Sequence, residues 1–320
     1  MTKPALPDHC GPDGYYGQPA IHGPHWNWLV IGYFFAGGIS GGAAAVSAAA
    51  SVFGDSREAR LRDHGTLIAF IALLPCPIFL ILDLGRPARF LNMLRAFRPS
   101  SPMSMGTWGL SVFSGLEAVC TALIVLRWRF GERFSPPRPV EQSLFALNGV
   151  AGLFLAGYTG TLLAATAVPL WSRRPWLLGP LFLSSAISSG CAATSIALHA
   201  GNSDSHEAGA GPDALTVIDT TSSIAKAALL AGWTTALGDV AGPVVSGQRG
   251  RIVREGCVLI GVVAPLAIEA VSSRSTRWQR AGRIAAATLS LAGTLALRYA
   301  VVSGGAASAA DPRATFSVTR

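Results

Sequence analysis

The residues able to do chemistry in this chain are few, and most are proton carriers in apolar surroundings. Asp83 stands in Asp83-Leu84-Gly85-Arg86-Pro87, at the end of an apolar run. In one reading the stretch is a helix stop: Gly85 caps the C-terminus, Pro87 prevents continuation and Arg86 reaches for the membrane surface. In the other, Asp83, at the edge of lipid and close to an arginine, relays protons or orients a polar head group. Glu117 is the lone acid of the apolar segment 105–126. At that depth it is either a proton relay or a protonated structural partner. Tyr158 lies in an uncharged run between Gly157 and Gly160, where a buried phenol must find a hydrogen-bond partner. Late in the chain Asp219, Lys226, Glu269 and Arg298 are spread over three further apolar segments. Asp219 and Lys226 share a helix face but stand two turns apart, too far to pair without another group. Either these four form a polar track for protons or this part of the chain is mainly structural.

The elements that hold such residues must lie in lipid. Of 320 residues, 50% are hydrophobic and only 13% charged, with a mean hydropathy of +0.43; soluble domains carry about 25% charged residues. So few charges, together with 36 glycines, describe close-packed membrane helices in which small residues let backbones approach. A net charge of +8 and a pI near 9.8 would suggest nucleic acid in a soluble protein. Here the arginines cluster in short segments between apolar runs, which assigns them to the membrane surface. No stretch combines basic and aromatic residues as a single-strand nucleic-acid surface requires.

A spanning helix needs roughly 20 apolar residues. Segments 28–53, 65–82, 105–126, 143–171 and 175–198 qualify and hold one charge between them, Glu117. Three more polar candidates, 214–237, 256–273 and 284–302, bring the expected total to eight. The polar first turn of the sixth, Thr216 to Ser223, suits either lipid or the interface. Pro75 and Pro77 predict a kink in the second span, because the carbonyls they free find no donor in lipid. In the first span, Gly37 with Gly41 and Gly38 with Gly42 repeat at four-residue spacing, which suits a close helix contact. Summing Lys and Arg over the loops of each side gives near-equal totals, so the charge rule leaves the orientation open. Residues 1–24 have no apolar core of the signal-peptide type, so no cleaved leader is expected.

Metal and cluster chemistry lacks its ligands. Cys10, Cys76, Cys120, Cys191 and Cys257 contain no Cys-x-x-Cys pair, which argues against an iron-sulfur cluster or a zinc site in this chain. A membrane haem needs facing histidines inside the bundle. Of the six histidines only His64 and His199 touch apolar runs, both at the ends, so no haem is expected.

The stretch from Leu82 to Trp108, LDLGRPARFLNMLRAFRPSSPMSMGTW, resembles the signature of the polysulfide-reductase membrane subunits, the NrfD-like family. Tyr33-Phe34-Phe35-Ala36-Gly37-Gly38-Ile39-Ser40-Gly41-Gly42, Gly157-Tyr158-Thr159-Gly160-Thr161-Leu162-Leu163 with Pro169-Leu170-Trp171, and Leu297-Arg298-Tyr299 agree in order. The resemblance implies an all-α integral membrane protein of about eight helices in two four-helix bundles, without bound metal. It would exchange electrons between an exchangeable quinone or menaquinone in the first bundle and a ferredoxin-like iron-sulfur partner. That partner usually connects to a molybdopterin catalytic subunit. The expected division is an extramembrane segment at 1–27, a first membrane part at 28–200 with the quinone site, a second helical part at 201–303 and a tail at 304–320, in the cytoplasmic or inner membrane.

A quinone site needs an apolar slot and one or two donors for the ring carbonyls, since reduction adds two protons with two electrons. The resemblance at Tyr-Thr-Gly makes Tyr158 the first candidate. Family members carry polar Asn and His one turn apart ahead of the glycine-rich run, where this chain has Val30 and Tyr33. Tyr33 could take the histidine's place, whereas His25 and Asn27 lie nearer the helix start beside Trp26 and Trp28. Asp83, Arg86 and Glu117 complete the candidate set. The longer arginine-bearing loop 84–104 reads as a docking surface. Two other readings stay open at this level: a secondary transporter lined by Asp219, Lys226 and Glu269, and a passive anchor that has lost its quinone chemistry.

Overall fold

Lipid offers no partner for a backbone amide, so a chain within it must close its hydrogen bonds internally. The computed structural model, which describes residues 26–315 apart from 55–57, 86, 96, 132, 134, 201–213, 273–275, 312 and 313, does so with helices and no strand among the described residues. In order they are α1 (Trp28–Phe53), α2 (Ala59–Leu73), α3 (Pro75–Asp83), α4 (Pro87–Arg95), α5 (Pro102–Phe130), α6 (Arg138–Ala164), α7 (Pro169–Ser172) and α8 (Pro175–Ala200). Then come α9 (Ala214–Ala236), α10 (Gly242–Val245), α11 (Gly247–Arg251), a π-helical segment (Ile252–Val263), α12 (Ala264–Ser272) and α13 (Thr276–Ala309). Among the described residues, eight spans are long and apolar enough to cross a membrane: α1, α2 with α3, α5, α6, α8, α9, Gly247–Ser272 and most of α13. The chain is a multi-pass membrane protein.

Local chemistry sets the ends. Asn27 Oδ1 accepts from Leu29 N at 2.8 Å and so caps α1, a role that accounts for this residue just outside the span. Ser101 caps α5, with Pro102 at the first helical position where no amide hydrogen is needed. The second span breaks at Leu74, where Pro75 starts a new helix. The fourth span is shorter than the run 143–171 predicts. α6 stops at Ala164, the Thr166 hydroxyl donates to the Leu163 carbonyl at 2.8 Å, and Pro169 opens a separate turn. The seventh begins at Gly247, ahead of the expected 256, and much of it is π-helical, which apolar periodicity gives no means of anticipating.

Packing follows the glycines. α1 lies against α2, α6 and α8, and α8 touches α9 and α13 as well, so the fifth span contacts helices from both earlier and later in the chain. A Cβ at Gly41 would collide with the Gly152 carbonyl of α6, and one at Gly42 with the Ala186 carbonyl of α8. The close-packing motif of α1 thus serves two different neighbours. At the end where α1 starts, Trp171 stacks on Trp26 with ring centroids 5.0 Å apart, and its indole N–H donates to the Val301 carbonyl of α13 at 2.9 Å.

Candidate functional site

α1 begins, α3 ends, α5 begins and α6 ends on one side of the membrane domain. Between these four ends is a cavity of about 310 Å³, lined by Trp26, Leu29, Val30, Phe34, Phe79, Leu80, Met103, Leu162 and Ala165 among others. Its polar groups are Tyr33, Asp83, Ser101 and Thr166. The break at Leu74 positions the wall that α3 supplies: from the new start at Pro75, Phe79, Leu80 and Asp83 fall on one helix face. Tyr33, one turn after Leu29 and Val30, comes from α1 and is 6% exposed, whereas Asp83 is exposed at the helix end. A hydroxyl held inside an apolar slot and a carboxyl at its edge make a site that can grip a ring carbonyl and exchange a proton with water.

Tyr158 stands just behind this wall. Its hydroxyl donates to the carbonyl of Pro102, itself a lining residue, and its ring stacks on Phe154 at 5.6 Å. Gly106 of α5 makes room for that ring, because any Cβ there would fall on it. The phenol fixes the start of α5 against α6, and so the lip of the cavity. His25 and Arg86 lie outside the described residues.

Glu117 is elsewhere, about four turns along α5 from Pro102. It is fully buried, accepting from Asn148 Nδ2 at 2.6 Å and from Thr121 Oγ1 at 3.3 Å. Farther toward the opposite membrane face lies a cluster that the sequence reading missed. Arg62 reaches Asp63 and Glu141, each at 2.9 Å. Arg127 reaches Asp63 at 3.1 Å and Glu141 at 3.0 Å. The Trp128 indole N–H donates to Asp63 at 3.1 Å. The arginines drew notice only as loop charges. The available signal was two acids and two arginines at one membrane depth, at the starts of α2 and α6 and the end of α5. All four side chains are 15% exposed or less, so Arg127→Met leaves two carboxylates with half their countercharge. Removing one partner of a buried pair costs about 3–5 kcal/mol, and Arg127→Met is expected to melt at clearly lower temperature in detergent. Arg129→Met, at the exposed end of the same helix, serves as the control; equal melting of the two would remove the cluster's structural role.

Comparison with known proteins identifies a family. The family description "Polysulphide reductase, NrfD" matches residues 20–310. The protein is also similar to a subunit of the polysulfide reductase of Wolinella succinogenes, 30% identical over 184 residues, which cover 52% of this chain and 55% of that protein. The aligned part therefore spans about half the length of the curated relative.

Proposed function

The chain belongs to the NrfD polysulphide reductase family, and from that premise we propose that it is the quinone-reactive membrane subunit of a multi-subunit oxidoreductase in the cytoplasmic membrane. It passes electrons between a membrane quinone or menaquinone and a ferredoxin-like iron-sulfur subunit, which in turn serves a molybdopterin catalytic subunit. The observation that carries the reading is the apolar cavity holding Tyr33 and Asp83. Its volume is at the small end of ligand sites, which run from about 300 Å³ upward, and suits one ring with its tail outside.

A bound quinone supplies two-electron chemistry that must be matched by two protons. Tyr33 donates from the buried side and orients the ring. Asp83, exposed at the end of α3, carries protons between the cavity and the water at this face. Tyr158 keeps Pro102 and the lip in place, and Ser101 and Thr166 offer further hydroxyls at the polar rim. The docking surface for the iron-sulfur subunit is the adjoining segment 84–104, where Leu91 and Phe97 stand 62% and 55% exposed.

Binding of a fluorescent quinone analogue to the purified protein tests this assignment directly. Tyr33→Phe and Asp83→Asn are each expected to weaken binding about tenfold, the loss of roughly one charge-assisted or neutral hydrogen bond. Glu117→Gln, remote from the cavity, leaves it unchanged. Equal affinity across all three variants would move the quinone elsewhere.

A further inference from the structure

The second part of the membrane domain encloses polar side chains that the cavity does not use, and they form a line. Asp219 lies near the start of α9, partly exposed, with Glu269 of α12 within electrostatic reach. Ser223, one turn on, donates to Asp219 Oδ1 at 3.4 Å and meets Ser188 of α8 at 2.9 Å. Ser188 is a junction: Ser290 of α13 lies 3.1 Å away, and Lys226 donates to it at 3.3 Å. The group needed to connect Asp219 with Lys226 is therefore a pair of serines. Lys226, 3% exposed, also donates to the Gly261 carbonyl at 3.1 Å, inside the π-helical segment.

The line continues toward the cavity. α8 and α13 run antiparallel, since Ser188 meets Ser290 and, farther along, Arg298 Nη2 donates to the Phe182 carbonyl at 3.1 Å. Ser185 and Thr294 occupy the positions between these two contacts, one on each helix. Both hydroxyls, and Nε and Nη1 of Arg298, are buried without a hydrogen-bond partner, and all three residues are 0% exposed. Such groups in a protein interior are normally satisfied by bound water, which needs two to four polar partners. Arg298 lies 3.9 Å over the Phe182 ring, and Phe182 packs edge-on against Phe34, a cavity wall.

We propose that this line, from Asp219 through Ser223, Ser188 and Lys226 to the unpartnered buried groups of Ser185, Thr294 and Arg298, where water would complete the path, conducts protons from the membrane face opposite the cavity to its inner wall. Each hydroxyl or water accepts one proton and releases another, so one proton enters at Asp219 for each that leaves beside Arg298. No electron and no bond other than O–H and N–H takes part. The conduction is a property of this chain alone and does not depend on the quinone assignment.

The test uses the full chain in liposomes, with a potassium diffusion potential set by valinomycin and an internal pH-sensitive dye. Proton entry is expected in the wild type and in Ser188→Thr, which keeps the hydroxyl, and to fall at least about tenfold, as for a lost proton-transfer group, in Ser188→Ala, Asp219→Asn and Lys226→Met. Melting temperatures within a few degrees of wild type identify the variants that fold, and Ser188→Ala against Ser188→Thr separates relay from packing. The same flux in wild type, Ser188→Ala and Asp219→Asn, whether high or absent, overturns the proposal.

Discussion

Ala165→Trp is expected to lower quinol-dependent turnover of the assembled complex by about a hundredfold or more, the scale of loss when a reacting group is displaced by an ångström or so. Ala165 follows the last residue of α6, lines the cavity and is itself exposed, so the larger ring has room to enter the slot without disturbing the core. An indole laid against Tyr33 and Leu162 puts a rigid double ring into a space of about 310 Å³ and obstructs the slot for a ligand ring. Turnover driven by a soluble dye that reacts with the partner subunits bypasses the cavity and stays at the wild-type level, which shows that the complex is assembled. Loss of both activities would point to a folding defect, and retention of both would place the quinone outside this cavity.

The second large effect concerns stability. Gly42→Leu is expected to prevent accumulation of folded protein, read as the monodisperse fraction after membrane extraction. A side chain at Gly42 meets the backbone of α8 at Ala186, and the approach is mutual, since a Cβ at Gly190 of α8 would strike Gly42. Backbone cannot rotate out of the way as a side chain can, so the two helices must separate along their length. Overpacking in a closed core costs about 1–3 kcal/mol and more where backbone must move. In lipid, no hydrophobic force returns separated helices to each other. Gly232→Leu on α9, where nothing lies within 4 Å of the added atom, should be tolerated. Normal yields of Gly42→Leu would mean that the α1–α8 contact is dispensable.

These features differ in how far they could be read from the chain itself. The glycine repeat of α1 is visible as spacing, but that Gly41 serves α6 while Gly42 serves α8 depends on neighbours more than a hundred residues away. Pro75 announces the break of the second span because it has no amide hydrogen, a purely local fact. The end of α6 was missed because residues 165–171 stay apolar: Thr166 and Pro169 stop the helix without changing hydropathy. At the site, Tyr33 and Asp83 were separately conspicuous as polar groups near membrane edges. Their presence around one cavity required knowing that α1 starts where α3 ends. Tyr158 was legible as a phenol needing a partner, and its partner, the Pro102 carbonyl, carries no sequence signal at all. The serines joining Asp219 to Lys226 were equally invisible, since serine in a glycine- and alanine-rich helix reads as one more small residue.

Trp171 has a bearing on the order in which the protein is made. Its ring rests on Trp26 at one end of the sequence and bonds to Val301 at the other, and Gly305 leaves the space it occupies. During synthesis Trp26 emerges first and Val301 last. The tryptophan between them cannot settle until the eighth span has entered the bilayer, and Trp26 is part of the cavity wall. The cavity is therefore completed only once the eighth span is in place, so a chain halted before that span has no finished slot in which to engage a ligand.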